Sequence, residues 1–267
     1  MTWIIGASSL FGNGVVISDI QVTFSNGKTR DILQKAYPLG NFIVGGFAGS
    51  VLIGFNLLES MRQFLALPED IAQKHAWNPT IVAQNWSPIA KQIYDASPEQ
   101  EKKLGSQFLI VGISPQEHTG VPSIARVFII RFSWPDFKPG IMNKPLSVCS
   151  IGSGAGVDKY KKALKGFFDI RSSSIQFEGH GFGVWAEMIS HSLGTVIRDN
   201  PKKGISKHHN IFVFNRSQLI ETNNDETIYP PDDAEPIEIK MPDIAKSYEE
   251  FIRMTQSRGY RSECAIC

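Results

Sequence analysis

The sequence has almost no excess charge of either sign. It contains 27 Lys and Arg residues against 26 Asp and Glu residues, so its formal net charge is +1 at pH 7. Proteins that bind nucleic acid or anionic membranes through electrostatics carry a clustered excess of positive charge. The charge balance therefore predicts that neither nucleic acid nor a membrane surface is a partner of this chain.

A long apolar run is also missing. The longest apolar stretch, residues 42–55, is too short and too rich in glycine to span a bilayer. The first residues, MTWIIGASSLFG, have no basic segment before the apolar ones, as a signal peptide would have. These two absences predict a soluble, cytoplasmic protein.

Cysteine is scarce, with only Cys149, Cys264 and Cys267 in the chain. Three cysteines give no disulfide framework, and an intracellular compartment would keep them reduced. Cys264-Ala-Ile-Cys267 has the outline of half a zinc site, and it also fits a prenylation box with an unusual last residue. We favour a third interpretation, a frayed tail, and expect neither a metal nor a cofactor.

A regular succession of β-rich and helical segments is present instead. Runs rich in β-branched and aromatic residues alternate with stretches whose apolar residues recur at helical spacing. The predicted strands cover residues 3–7, 14–22, 35–39, 42–46, 107–114, 124–132, 146–151 and 210–214, and the predicted helices cover 50–65, 80–96, 157–168 and 182–198. This order predicts an α+β fold in which two sheets are covered on both outer faces by helix pairs, a four-layer αββα sandwich.

The composition changes near residue 216, which divides the chain into a main domain, residues 1–216, and a tail, residues 217–267. Residues 221–236 are acidic and contain proline, as an exposed connector does. A C-terminal amphipathic helix follows over about 242–258, with an apolar stripe formed by Ile244, Tyr248, Phe251 and Ile252. Because a soluble monomer would not leave such a stripe exposed, we predict that it packs across a subunit boundary.

Thr2 is a candidate nucleophile. Removal of Met1 would give this residue a free α-amino group with a pKa of about 7.7–8.0, close to neutral pH. A threonine hydroxyl needs a base to become a nucleophile, and the amine of the same residue can supply one. Thr2 would then carry both functions.

Three blocks of sequence resemble the proteasome β-subunit family, in particular bacterial forms such as the HslV peptidase. The run from Gly14 to Thr23 is similar to the family's apolar strand that ends in an acidic residue and a threonine. Residues 34–39 resemble its lysine strand, and residues 44–49 resemble its glycine-rich entry into the first helix. The resemblance covers about residues 2–215 and is clearest over 2–60.

The resemblance implies an N-terminal-nucleophile hydrolase, in which Thr2 attacks a peptide carbonyl. Lys35 would lower the effective pKa of the Thr2 hydroxyl, and Asp19 would keep this lysine charged and oriented. The backbone N–H of Gly46 would donate a hydrogen bond to the oxyanion.

Two further residues are implied by the resemblance to orient the Thr2 amine and its water. Ser153 lies in a turn similar to the family's serine turn, and Asp199 corresponds to its aspartate after the fourth helix. The similarity weakens after Asp199, because residues 200–205 separate it from the next serine, Ser206.

The resemblance also implies a substrate pocket and an assembly. The substrate-binding residues would be Val22, Thr23, Leu33, Val44 and Ala48. The apolar members of this set favour cleavage after hydrophobic or small neutral residues. Identical subunits in a ring and an ATP-dependent unfoldase would be the partners, with peptide or unfolded protein as the substrate.

Other interpretations of the same residues stay open. Lys35 and Asp19 are compatible with an ordinary ion pair at a strand end, and Ser153 with a helix cap. A ring subunit without activity that keeps Met1 is one alternative function. An N-terminal-nucleophile amidase acting on a small amide is another, which an open cleft and the lack of a ring would favour.

Overall fold

The structure is a computed structural model that describes residues 2–40, 42–66, 78–118, 124–168, 183–228, 235 and 237–257. The predicted helix start at Phe182, most of the second half of the acidic connector, and Cys264 and Cys267 lie outside these residues. Two antiparallel five-stranded sheets form the centre of the molecule. Among the described residues, no helix is long and apolar enough to cross a membrane.

The first sheet brings together strands from both ends of the chain. Its order is β10 (Val148–Ile151), β1 (Ile4–Ser8), β2 (Gly14–Asp19), β11 (His209–Phe214) and β12 (Leu219–Asn223). β1 and β2 form a hairpin, and the connection between them contains the turn-forming residues Gly12 and Asn13. The predicted strand over 14–22 is divided, because β2 ends at Asp19 and β3 (Gln21–Thr23) pairs separately with β4 (Thr29–Asp31).

The second sheet is a continuous meander of neighbouring strands. Its order is β5 (Ala36–Gly40), β6 (Ile43–Gly49), β7 (Ser106–His118), β8 (Ala125–Ser133) and β9 (Gly140–Met142). Successive side chains of a strand point to opposite faces. In β7, Leu109 and Val111 therefore face the first sheet, whereas Phe108 and Ile110 face the helices.

Helices pack on the outer face of each sheet. The helices are α1 (Val51–Leu65), α2 (Pro79–Asp95), α3 (Glu99–Lys102), α4 (Asp158–Phe167), α5 (Val184–Asp199) and α6 (Tyr248–Ser257). On α2, Trp86 packs against the rings of Phe108 and Phe132 of the second sheet. On α4, Tyr160 stacks on Trp3 beside β1, with ring centroids 4.7 Å apart. The chain is thus a mixed protein of antiparallel sheets and helices, as the α+β prediction requires.

The remaining pairs are short. β13 (Glu226–Ile228) pairs with β14 (Ile237–Ile239) at the beginning of the tail.

α1 begins where the helical spacing predicts, and the Ser50 side chain caps it by accepting a hydrogen bond from the Ile53 N–H at 3.1 Å.

The C-terminal segment docks on its own chain. Ala245 forms a parallel bridge with Leu33, and Phe251 is fully buried in the same hydrophobic cluster as α1. Phe24 stacks on Phe251, and Phe55 packs against Tyr248. The chain itself covers Phe251, whereas Ile244, Tyr248 and Ile252 stay partly exposed. That the stripe packs across a subunit boundary stays a prediction.

Candidate active site

Lys35 brings Thr2 and Asp19 together. Its ammonium Nζ lies 2.7 Å from the Thr2 hydroxyl Oγ1, 2.5 Å from Asp19 Oδ1 and 2.5 Å from the Gln21 carbonyl oxygen. An ammonium group has three N–H donors, and here each has an acceptor. The lysine is thus held in one orientation, with one N–H directed at the Thr2 hydroxyl.

The strands place these three residues at one end of the two sheets. Thr2 precedes β1 and Asp19 ends β2, the neighbouring strand, so that the Asp19 N–H donates to the Trp3 carbonyl at 3.1 Å. Lys35 immediately precedes β5 at the edge of the second sheet. The contact between Lys35 and Thr2 therefore joins the two sheets.

All three residues are fully buried. Burial raises the pKa of Asp19 to about 6, while the charge of Lys35 acts in the opposite direction. The Ser206 N–H also stabilises the ionised carboxylate, donating to Asp19 Oδ2 at 3.3 Å. Because pH 7 lies above this pKa, the carboxylate is mainly ionised at neutral pH and pairs with the lysine.

A turn after β10 surrounds the main chain of Thr2. Ser153 Oγ accepts from the Thr2 N–H at 3.3 Å and lies 3.4 Å from the Thr2 carbonyl oxygen. The Gly154 N–H donates to the same carbonyl at 3.2 Å. Gly152 has a φ of +83°, and a Cβ there would collide with the Thr2 carbonyl, so only glycine fits. The structure thus brings Ser153 to the nitrogen of Thr2.

Gly46 is not placed to donate to an oxyanion. Backbone N–H groups alternate in direction along an antiparallel strand. In β6 the Phe47 N–H donates toward β5, to the Lys35 carbonyl at 3.1 Å, so the Gly46 N–H points the other way, toward Leu109 of β7. The predicted role of Gly46 is therefore wrong, because this N–H is used in the sheet.

Gly49, at the end of β6, fits that role better. It lies two residues beyond Phe47, so its N–H points to the side on which Lys35 lies. Its φ is +104°, and a Cβ would collide with the Gly105 carbonyl. Its neighbour Ala48 is in reach of the turn at Gly152, where the Cβ of an introduced side chain would lie 3.3 Å from the Ala48 Cβ. Gly49 therefore lies beside the Thr2 turn.

Asp199 does not reach the site. It is the last residue of α5, its side chain is 62% exposed, and its carboxylate lies 3.6 Å from the Arg198 Nε. The prediction that it orients the Thr2 amine is wrong, because α5 ends before the chain turns back to the sheet. Ser206, which follows in that connection, is the residue that touches the site, through Asp19 and through a hydrogen bond to Asp31 Oδ2 at 2.6 Å.

The predicted substrate-binding residues do not line one pocket. Val22 and Leu33 belong to the hydrophobic cluster beneath α1, whereas Val44 and Ala48 belong to the cluster between the sheets. Thr23 is buried beside Val22 in β3. The residue types show that Val22, Leu33, Val44 and Ala48 are apolar. They do not show that the second sheet lies between the first two and the last two.

No protein-family model matches the chain, and no curated protein matches it. Over the residues that the structure describes, no group of His, Cys, Asp and Glu side chains is arranged to hold a metal ion.

Proposed function

We propose that the chain is an N-terminal-nucleophile hydrolase, a threonine endopeptidase that uses Thr2 after removal of Met1. One observation carries the proposal: the Lys35 ammonium donates to the Thr2 hydroxyl at 2.7 Å while Asp19 binds the same ammonium at 2.5 Å. An ordinary ion pair at a strand end does not require that its ammonium group also donate a hydrogen bond to a hydroxyl. A positive charge held at this distance, in contrast, favours the ionised form of a hydroxyl and so helps a base to activate it.

The chemistry follows from these contacts. The Thr2 Oγ attacks the carbonyl carbon of a peptide bond, and its proton moves to the Thr2 amine. The Gly49 N–H stabilises the oxyanion, in the role first assigned to Gly46. The amine then gives the proton to the leaving nitrogen as the C–N bond breaks. Water hydrolyses the resulting ester, again with the amine as the base, and releases Thr2.

The proposed fold is the four-layer αββα sandwich of N-terminal-nucleophile hydrolases. Two face-to-face sheets with helices on their outer faces support it. The proposed setting is a cytoplasmic ring of identical subunits, with an ATP-dependent unfoldase as a further partner. Cleavage after hydrophobic or small neutral residues, which the resemblance implies, is kept as the proposed preference.

A second candidate function is a silent ring subunit that keeps Met1. The observation that favours it is that Thr2 has no exposed surface in the chain with Met1 attached. A buried hydroxyl cannot reach a substrate. Removal of Met1 is therefore the step that separates an active enzyme from a silent subunit.

The intact mass of the purified protein, combined with a peptidase assay, tests the proposal. We expect a chain without Met1 that hydrolyses fluorogenic peptides with a hydrophobic residue before the scissile bond. Thr2→Ala should abolish hydrolysis, whereas Thr2→Ser, which keeps a hydroxyl and the amine, should retain part of it. Fully active protein that retains Met1 would refute the proposal.

Two other outcomes identify the alternatives. Protein that retains Met1, hydrolyses no peptide and still has the mass of an oligomer in light scattering would indicate the silent subunit. Hydrolysis of small amides but not of peptides by a monomer would indicate an amidase.

A further inference from the structure

Gln107 connects the turn around Thr2 with the opposite sheet. Its side-chain oxygen Oε1 accepts a hydrogen bond from the Gly152 N–H at 2.7 Å. The turn at Gly152 follows β10 in the first sheet, whereas Gln107 lies in β7 of the second sheet. Its side-chain amide also donates from Nε2 to the Ser133 Oγ, at 3.4 Å.

The position of Gln107 in β7 explains why its side chain crosses between the sheets. Leu109 and Val111, two and four residues further along, face the first sheet, so by alternation Gln107 faces it too. Gln107 pairs in register with Ala48, the neighbour of Gly49. The amide therefore stands between the glycine that ends β6 and the turn that surrounds Thr2.

The two sides of the candidate site belong to different sheets. Thr2, Asp19 and Ser153 lie at ends of the first sheet, and Lys35 and Gly49 at ends of the second. Their relative position depends on contacts across the gap. The hydrogen bond from Lys35 to Thr2 is one polar contact of this kind, and the hydrogen bond from Gly152 to Gln107 is another.

We propose that Gln107 is a positioning residue, which holds the turn of residues 152–154 so that Ser153 meets the Thr2 nitrogen while Thr2 faces Lys35 and Gly49. This inference rests on the proposed function. The physical basis is that the hydrogen bond between Gly152 and Gln107 is partly buried, so an N–H left there without an acceptor is unfavourable and the turn would shift to find another partner. A displacement of about 1 Å at a reacting group is enough to lower a rate roughly 10²-fold.

The experiment compares Gln107→Met with Gln107→Glu in the full chain. Methionine has a similar length and no good acceptor, whereas glutamate keeps an acceptor oxygen. We expect Gln107→Met to lower kcat by roughly 10- to 100-fold with KM within about threefold, since the residue does not bind substrate. Gln107→Glu should recover most of kcat. Ser133→Ala is the control, because it removes the other partner of the amide and leaves the Gly152 contact in place.

Hydrogen exchange at the Gly152 amide gives a readout that does not depend on activity. Exchange should be slow in the wild type, in Gln107→Glu and in Ser133→Ala, and faster in Gln107→Met. Two results would overturn the positioning role. One is exchange at Gly152 that is unchanged in Gln107→Met, and the other is a kcat of Gln107→Met equal to that of an active wild type. An inactive wild type without Met1 would instead refute the proposed function, and the exchange rates would still decide whether Gln107 holds the turn.

Discussion

Two of the ion pairs in the molecule differ sharply in their exposure. Lys35 and Asp19 have no exposed side-chain surface and approach to 2.5 Å, whereas Arg198 and Asp199 are 46% and 62% exposed and stand 3.6 Å apart. An exposed pair contributes little, because water and salt screen it. Breaking a buried pair costs much more free energy, since the charge that remains is neither paired nor solvated. The difference indicates that only the first pair has a fixed geometry on which chemistry can depend.

The largest expected difference between the pairs comes from removing their basic residues. Lys35→Ala should lower kcat/KM for hydrophobic peptides by roughly 10³-fold or more, and the double variant with Thr2→Ala should be no worse than Thr2→Ala alone, because the residues act as a unit. Arg198→Ala should change kcat/KM by less than about twofold. The measurement is peptidase kinetics on these four variants and the wild type. Retention of most of the activity by Lys35→Ala would show that the buried pair is only structural.

An intermediate effect is expected from the acidity of Asp19. A free Thr2 amine with a pKa of about 7.7–8.0 must be neutral to act as the base, so log kcat/KM should rise with a slope of one below that pH. Since the pKa of Asp19 is about 6, the slope should increase to two below pH 6, where Asp19 must also lose a proton. Asp19→Asn, although less active, should show a slope of one throughout. A slope of two in that variant would assign the second proton elsewhere.

The contribution of Asp19 to the free energy of unfolding should change with pH in the opposite direction to kcat/KM, falling as the pH rises. The pKa of Asp19 is about 6 in the folded chain and 3.8 in the reference state, so the folded chain binds this proton more tightly. The contribution of Asp19 to the free energy of unfolding is therefore greatest below about pH 4 and falls by roughly 3 kcal/mol as the pH rises to 6 and above. Urea unfolding at pH 4.5 and 6.5 tests this, with Asp19→Asn as the reference for all other groups. An equal pH dependence in both proteins would contradict the raised pKa.

The smallest effect is expected from Asp199→Asn. Because its carboxylate is exposed and contacts only its neighbour Arg198 among the interactions described above, the variant should keep kcat/KM within about twofold and its unfolding free energy within about 0.5 kcal/mol. Its pH profile should match that of the wild type. A tenfold loss of kcat with normal stability would show that α5 ends differently in the working enzyme and would remove the contrast between the two pairs.

The two pairs also show which parts of the site the sequence can predict. Thr2, Asp19 and Lys35 lie at or near strand ends, but the hydrophobic pattern runs on past Asp19 and does not show that β2 ends there. Their meeting is predicted from the resemblance. Asp199 lies at the end of a helix, where the following connection decides which side chain turns inward. That connection has no periodic pattern, and the inward residue is Ser206.

The error at Gly46 has a different physical origin. Gly45, Gly46 and Gly49 are equivalent as residue types, but in the sheet the N–H groups of Gly46 and Gly49 point to opposite sides, and only Gly49 has a positive φ, +104°. Likewise, the apolar stripe of α6 correctly predicted that Phe251 is covered, but the pattern carried no information about which surface covers it. Composition predicts burial, while register and partner depend on contacts between distant parts of the chain.

The hydrogen bonds of Ala245 determine when, during synthesis of the chain, the candidate site can be completed. The Ala245 N–H donates to the Ile32 carbonyl at 2.7 Å, and the Gln34 N–H donates to the Ala245 carbonyl at 3.0 Å, directly before Lys35. A ribosome makes Thr2, Asp19 and Lys35 long before Ala245. The segment that carries the lysine therefore lacks two of its main-chain hydrogen bonds until Ala245 has been made. On the proposed function, a nascent chain would remain without its complete catalytic centre up to that point, and could not act as a peptidase on other unfolded chains of the same message.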